Sequence, residues 1–125
     1  MVGYSTDIEK ATLDNSDYRR VLYTGKLQLV VMSLKAGEDI PMEVHEGHDQ
    51  FIRVEKGSAY VKIGETEYDL KDDDVVIIPA GNQHYVKNTG DGDLKLYTIY
   101  APHEHPEGTV HKTKAEADAA EHHHH

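Results

Sequence analysis

Short stretches of strand-forming residues, each stopped by turn residues, fill most of this chain. Apolar and β-branched side chains alternate with polar ones or follow one another, and Gly, Asp, Asn or Pro ends each stretch. The predicted strands are Tyr18–Tyr23, Leu27–Leu34, Phe51–Glu55, Ala59–Ile63, Thr66–Leu70, Val75–Ile78, His84–Lys87 and Leu94–Tyr100. With a further strand carrying Glu43 and His45 they make about nine strands, which predicts a barrel or a sandwich.

Helical signals lie near the two ends of the sequence. Asp7–Leu13 is predicted to be a short helix with Asp7 as its N-cap, because Asp accepts hydrogen bonds from N–H groups of the first turn. Thr113–Ala120 is predicted to be a second helix, with Thr113 as N-cap and Glu116 completing a capping box. This second helix is polar all round, which indicates a place on the surface. We therefore expect an all-β domain with short helical segments at both ends.

Polar residues able to bind a metal fall in two separate segments. Glu43, His45 and Gln50 lie in the first segment and His84 lies in the second. Successive side chains of a strand point to opposite faces, so Glu43 and His45 face the same way. A hairpin can bring Gln50 across from them, and a later antiparallel strand can supply His84. Four nitrogen and oxygen donors converging inside a small barrel outline a metal site.

The spacing of these residues resembles the two motifs of the cupin superfamily. The first motif reads Gly, five residues, His-x-His, three or four residues, Glu, six residues, Gly, and here the matching positions are Gly37, Glu43, His45, Gln50 and Gly57. The second reads Gly, five residues, Pro-x-Gly, two residues, His, three residues, Asn, and here the matching positions are Asp73, Pro79, Gly81, His84 and Asn88. The resemblance implies a double-stranded β-helix, the jelly-roll barrel of two packed antiparallel sheets.

The resemblance also implies a cofactor and a domain. We expect one divalent transition metal, Zn, Fe, Ni, Mn or Co, held by Glu43, His45, Gln50 and His84. We expect no organic cofactor. A chain of 125 residues forms one domain. We expect a single cupin domain over residues 1–121, with the barrel at about 26–101, and we interpret residues 122–125 as the remnant of a purification tag.

Two departures from the first motif fall on ligand positions. Glu43 stands where the first His belongs, and Gln50 stands where the Glu belongs. The swap moves one negative charge and leaves the net charge of the ligand set unchanged, which indicates that the metal site has been kept. The departure from the second motif is Asp73, which replaces a Gly.

Each candidate residue also has an ordinary structural explanation. His45 and His84 could be satisfied interior histidines, and Glu43 could be a solvated carboxylate on an edge strand. Gln50 could bind the metal through its carbonyl or hydrogen-bond another ligand. His48 lies in a turn, where a histidine is more often solvated. Three histidines of the C-terminal tail are interpreted as surface residues: His103, His105 and His111.

Composition excludes several classes of function. The 23 acidic residues outnumber the 13 basic ones and give a formal charge of −10, so nucleic acid would be repelled. The chain has no cysteine, which excludes disulfides and thiolate metal sites. No secretory signal or membrane-spanning segment is visible, so a cytoplasmic protein without nucleic-acid or membrane partners is expected.

The predicted function is a metal-dependent enzyme acting on a small oxygenated metabolite by Lewis-acid catalysis, of the isomerase or dioxygenase type. The walls of the site are expected to be Ile52, Val54, Val86 and Ile99. The alternatives are a non-catalytic metal- or sugar-binding module and a cupin scaffold without metal. A homodimer is expected, because Tyr18–Tyr23 could be an exposed edge strand that adds to a partner's sheet.

Overall fold

The computed structural model describes residues 3–122 of the chain. Within them it has ten strands and two helices. The helices are α1 (Ile8–Asp14) and α2 (Lys114–His122). The strands are β1 (Arg19–Thr24), β2 (Gln28–Leu34), β3 (Asp39–Val44), β4 (Asp49–Lys56), β5 (Ala59–Ile63), β6 (Thr66–Leu70), β7 (Val75–Ile78), β8 (Gln83–Asn88), β9 (Leu94–Ala101) and β10 (Val110–His111). Neither helix is long and apolar enough to cross a membrane. Of the interpreted tag, residues 123–125 lie outside the described residues.

The strands form two antiparallel sheets. One sheet has the order β10-β1-β2-β9-β4-β7, and the other has the order β3-β8-β5-β6. From β3 to β9 the chain passes repeatedly from one sheet to the other, which is the path of a double-stranded β-helix. The predicted all-β jelly-roll fold with a short helix at each end is confirmed.

The predicted elements agree closely with the observed ones. β5, β6 and β7 have the predicted bounds, and the other predicted strands differ by one or two residues at an end. Asp7 caps α1, its carboxylate accepting the N–H of Lys10 at 3.1 Å. At the start of α2 the hydroxyl of Thr113 accepts the N–H of Glu116, whose carboxylate in turn accepts the N–H of Lys112.

The core lies between the inner faces of the two sheets. Its fully buried side chains include Met32, Leu34, Ile52, Val54, Val61, Val86 and Leu96. The expectation that Ile99 lines this interior is wrong. Along β9 the buried positions are Leu94, Leu96, Thr98 and Tyr100, so alternation turns Ile99 to the outer face.

The C-terminal segment is more closely integrated than its polar sequence suggests. The prediction that the second helix only covers the surface is wrong for Ala117, which is buried and joins the core cluster. β10 pairs with β1 through Arg19 and Arg20, so the first strand is not a free sheet edge over those residues. The predicted Tyr18–Tyr23 edge is therefore covered at Arg19 and Arg20, and the homodimer stays a prediction.

Two turns explain motif positions of the sequence. Gly57 has φ of +115°, and a Cβ there would lie 3.2 Å from Asp93 O and from the Leu94 Cα. A side chain would therefore collide with the backbone that follows Gly92. Asp73 has φ of 72°, in the left-handed region that Asp tolerates better than most residues. The turn is thus kept although the family's Gly is absent.

Candidate metal centre

Glu43 and His84 face each other across two neighbouring strands. They are direct partners in the antiparallel pairing of β3 with β8. His45 follows the end of β3, and its Nε2 lies 3.6 Å from Glu43 Oε1. The rings of His45 and His84 are 4.9 Å apart between centroids. One nitrogen or oxygen atom from each of these three residues lies within 4.8 Å of the others, so the structure brings together three of the four predicted ligands.

Gln50 enters the interior from the opposite sheet. It is 4% exposed and pairs with Tyr100, whose ring stands edge-on to that of His45. The Gln50 amide donates from Nε2 to Thr98 Oγ1 at 3.0 Å. Its Oε1 is buried and has no hydrogen-bond partner. This leaves the acceptor oxygen, the atom through which an amide would contact a cation.

The hydrogen bonds of His45 and His84 are made through Nδ1 and leave Nε2 of each ring without a hydrogen bond. His84 Nδ1 lies 3.2 Å from Asn82 O, and His45 Nδ1 lies 3.1 Å from Glu104 Oε2. With the proton on Nδ1 in each ring, both acceptors are satisfied. The Nε2 atoms of His45 and His84 are buried without hydrogen bonds. Unpartnered buried nitrogens beside a carboxylate fit a divalent cation, and the orienting partners on Nδ1 fit the usual surroundings of metal-binding histidines.

Glu104, on the loop after β9, completes the surroundings of His45. Its Oε2 lies 3.1 Å from His45 Nδ1 and 3.0 Å from His48 Nε2. Burial raises the pKa of the Glu104 carboxyl, but the neighbouring His45 and His48 lower it further than burial raises it. Glu104 therefore carries a negative charge between two imidazoles. His45, His48 and Glu104 form a second group close enough to hold an ion, and this group shares His45 with the first.

A buried glutamine holds the loop that carries Glu104. Gln28, at the start of β2, is fully buried. Its Oε1 accepts the N–H groups of Glu104 at 3.2 Å and His105 at 2.9 Å. Its Nε2 donates to His105 O at 2.7 Å and to Thr24 Oγ1 at 2.9 Å. The amide thus uses both donors and its acceptor to fix the backbone that presents Glu104 to the metal centre.

The proton that His45 carries in the metal-free protein is one that a divalent cation could replace. Burial lowers the pKa of His45, but the carboxylates of Glu104 and Glu43 more than reverse this and bring it to about 9. Burial is the main cause that lowers the pKa of His48 and of His84, and the charge on His45 adds to it. In the metal-free protein one positive charge therefore rests on His45 between two carboxylates. A divalent cation would replace that proton with a larger charge.

Two histidine interpretations require correction. The solvated interpretation of His48 is wrong, because only 9% of its side chain is exposed and its ring lies 4.5 Å from that of His45 between centroids. His105 is not a surface residue, since it is buried edge-on against Tyr100. Burial lowers the pKa of His105 to about 3, which keeps the ring neutral. His103 is exposed, as expected.

A cavity of about 320 Å³ opens beside the metal centre. Its lining residues come from the start of β1, from β3 and from α2, namely Tyr18, Arg19, Pro41, Met42, Glu43, Ala117 and Asp118. Glu43 lines the cavity and also belongs to the ligand group, so the cavity adjoins the candidate metal centre at this residue. The volume lies at the lower end of the range for ligand pockets.

Sequence patterns pointed to the ligands but missed their surroundings. Gln28, Glu104 and Arg19 lie outside the motif segments, and nothing in local periodicity distinguishes them. The one available signal was His103-Glu104-His105, a carboxylate between two histidines. Its proline-rich context favoured the interpretation as a surface tail.

Comparisons with known proteins agree with this fold. Residues 30–100 match the Cupin domain family. The uncharacterized protein YrkC of Bacillus subtilis is 48% identical over 94% of this chain and 67% of its own. Protein L612 of Acanthamoeba polyphaga mimivirus is 45% identical over 86% of this chain and 70% of its own. The crystal structure of BH2720 from Bacillus halodurans superposes with a TM-score of 0.92 at 46% identity, covering 94% of this chain and 95% of that one.

Proposed function

The chain belongs to the cupin family, and on that premise we propose that it is a metal-dependent enzyme acting on a small oxygenated metabolite. Cupins commonly bind a divalent metal and small-molecule ligands. The observation that carries the proposal is the convergence of Glu43, His45 and His84 with two histidine nitrogens left unpaired. The cavity beside Glu43 gives a metabolite access to them.

We assign the ligand positions as follows. Glu43, through its carboxylate, and His45 and His84, through Nε2, would hold one divalent ion, with Zn, Fe, Ni, Mn and Co as the candidates. Gln50 would contribute Oε1, either to the ion or to a group bound to it. Two histidines and one carboxylate are the set that leaves positions of the ion open to a substrate.

The residues around the ion divide the remaining work. A bound divalent ion supplies a Lewis acid that polarises an oxygen of the substrate. Glu104 holds His45 in one orientation, and the carbonyl of Asn82 does the same for His84. The buried side chains of Ile52, Val54 and Val86 exclude water, which strengthens electrostatic interactions inside the site. An isomerase or a dioxygenase would both use these features.

Exchangeable water at the bound metal is the property that tests this function. We expect Mn²⁺-loaded, tag-free protein to enhance water-proton relaxation, and a substrate to reduce the enhancement as it displaces water. Turnover is then followed by NMR with sugars and hydroxy acids, and by oxygen uptake with Fe²⁺-loaded protein. Bound metal with no exchangeable water and no turnover would instead support the alternative, a non-catalytic metal- or sugar-binding module.

Glu104 provides a test of the outer shell of the site. Substitution Glu104→Gln keeps the size of the side chain but removes the charge that orients His45. We expect metal affinity to fall about 10- to 100-fold, as is typical when a residue that hydrogen-bonds and orients a ligating histidine is lost. Competition with a chelator of known affinity measures this loss. Glu107→Gln, three residues further along an exposed stretch, is the control and should bind as the original chain does.

The count of bound ions decides between the two overlapping groups. One ion per chain, weakened by Glu104→Gln, is expected if Glu104 only orients His45. Two ions per chain, falling to one in the variant, would show that Glu104 is itself a ligand and would contradict the role proposed for it.

Three further parts of the proposal concern the whole protein. We propose that residues 1–121 act as one domain, that the protein works in the cytoplasm, and that it forms a homodimer. Small size, an acidic surface and the absence of cysteine support a cytoplasmic location. For the dimer, exposed apolar side chains on β7, Val75 and Ile77, are a more suitable contact than the covered start of β1.

A further inference from the structure

Arg19 is a buried cation that has no anionic partner among the described side chains. It is 4% exposed, whereas the adjacent Arg20 faces solvent and pairs with Asp17 at 2.8 Å. Among the side chains that the structure describes, those of residues 3–120, no carboxylate oxygen lies within 4.0 Å of the Arg19 guanidinium. Burying a charge without a partner opposes folding, so such a residue calls for an explanation.

The described contacts of Arg19 leave part of its guanidinium without a hydrogen bond. Nη1 lies 3.1 Å from His111 Nδ1, and the guanidinium carbon lies 5.4 Å from the centroid of the Tyr18 ring. The Nε of Arg19 is buried and has no hydrogen-bond partner. An arginine side chain offers a planar fork of donors that matches the two oxygens of a carboxylate. Nε is therefore an unsatisfied buried donor, and an anionic group bound in the cavity beside Arg19 would compensate the charge of its guanidinium.

Arg19 shares its cavity with the metal centre. The 320 Å³ cavity has Arg19 on one wall and Glu43 on another. Of the other acidic groups that line it, Asp118 is paired with Lys114 at 2.7 Å. Glu43 is neutralised once it serves as a metal ligand. With the metal bound, Arg19 is thus the charge in the cavity that remains without compensation.

We propose that Arg19 binds the carboxylate of a small hydroxy- or keto-acid whose other oxygen reaches the metal. This inference rests on the proposed function and adds the substrate class to it. A single positive charge favours one carboxylate over a phosphate monoester, which carries close to two charges at neutral pH. The cavity volume restricts the acid to a small molecule.

The test compares an acid with its uncharged isostere. Lactate and lactamide are titrated by NMR into tag-free, Zn²⁺-loaded protein carrying Arg19→Gln, Arg19→Lys or the control Arg20→Gln. We expect the original chain and Arg20→Gln to prefer lactate. Arg19→Gln is expected to reduce that preference about 10- to 100-fold, the usual loss for a hydrogen bond to a charged group. Arg19→Lys keeps the positive charge but loses the paired donors of the guanidinium. It should retain part of the preference for lactate.

Thermal unfolding separates binding from a structural role. Because Arg19 has no anionic partner among the described side chains, Arg19→Gln should leave the Tm of the metal-free protein unchanged or raise it. A lower Tm together with an unchanged lactate preference would show that Arg19 is structural and would overturn the inference. Displacement of lactate by equimolar inorganic phosphate would overturn the assignment to a carboxylate.

The metal content of each variant distinguishes the two proposals. If every variant holds Zn²⁺ but Arg19→Gln keeps the lactate preference, this inference fails while the proposed function stands. If the original chain holds no metal, the proposed function fails, and the titrations are then made on metal-free protein. In that case loss of the lactate preference in Arg19→Gln still supports a site for an acid. The same preference in all the variants would overturn the inference.

Discussion

Tag-free protein with His84→Ala is expected to contain almost no bound metal, whereas the original chain retains close to one ion. His84 is 2% exposed, and its Nε2 has no other partner. Structural zinc sites are stabilised by about 10–16 kcal/mol over four ligands, so losing one ligand is expected to weaken binding by roughly a hundred- to a thousandfold. Elemental mass spectrometry after dialysis against a weak chelator measures the content.

Two further variants sharpen the His84 result. His103→Ala removes an exposed histidine of the same tail that carries Glu104, and it should retain the full metal content. Glu43→Gln tests whether the negative charge that stands at position 43 in place of the motif's His is needed. This variant should lose metal as His84→Ala does. Retention of metal by either ligand variant would remove that residue from the proposed set. Absence of metal from the original chain, even after exposure to divalent ions, would favour a metal-free scaffold.

The largest expected loss of stability comes from Gln28→Leu. Leucine fills the space but leaves the N–H groups of Glu104 and His105 and the carbonyl of His105 without partners. Buried orphan groups cost about 1–3 kcal/mol each, so we expect the free energy of unfolding to fall by about 3–5 kcal/mol. Urea unfolding of the metal-free protein measures the difference.

The matched control for that substitution is Gln83→Leu, which alters an exposed glutamine on β8. Its unfolding midpoint should lie close to that of the original chain. Gln28→Leu should also weaken metal binding, because Glu104 is no longer held against His45. Equal midpoints for the two leucine variants would show that the amide does not hold the loop in solution.

Local sequence was sufficient to predict the strands, and the motif spacing was sufficient to predict which side chains come together at the candidate metal centre. Alternation of apolar and polar residues along segments such as Ala59–Ile63 depends only on neighbouring residues, and that strand was predicted to the residue. The motif spacing placed Glu43 and His84 on strands that turn out to be direct partners. The position of Asp73 was also informative, since a positive φ explains why the family has Gly there.

Long-range contacts account for what the sequence did not predict. Gln28 binds His105, which is 77 positions away, through backbone groups that leave no trace in the local pattern. β10 is too short for any periodicity, and Ala117 is buried by its position rather than by a hydrophobic stripe. A histidine in a turn is usually exposed to solvent, so the sequence predicts an exposed His48. In the structure the loop that carries Glu104 covers this side chain.

The division of the chain at residues 30 and 100 has an evolutionary consequence. All four proposed ligands fall within the matched family segment, whereas Arg19, Gln28 and Glu104 fall on the flanks outside it. The proposed metal ligands and the residues proposed to orient His45 or to bind a substrate thus occupy different stretches of the chain. A lineage could exchange its substrate by remodelling the two flanks while the barrel keeps its ion. Because residues 30 and 100 lie inside β2 and β9, such remodelling would proceed by substitutions on the flanks rather than by exchange of whole segments.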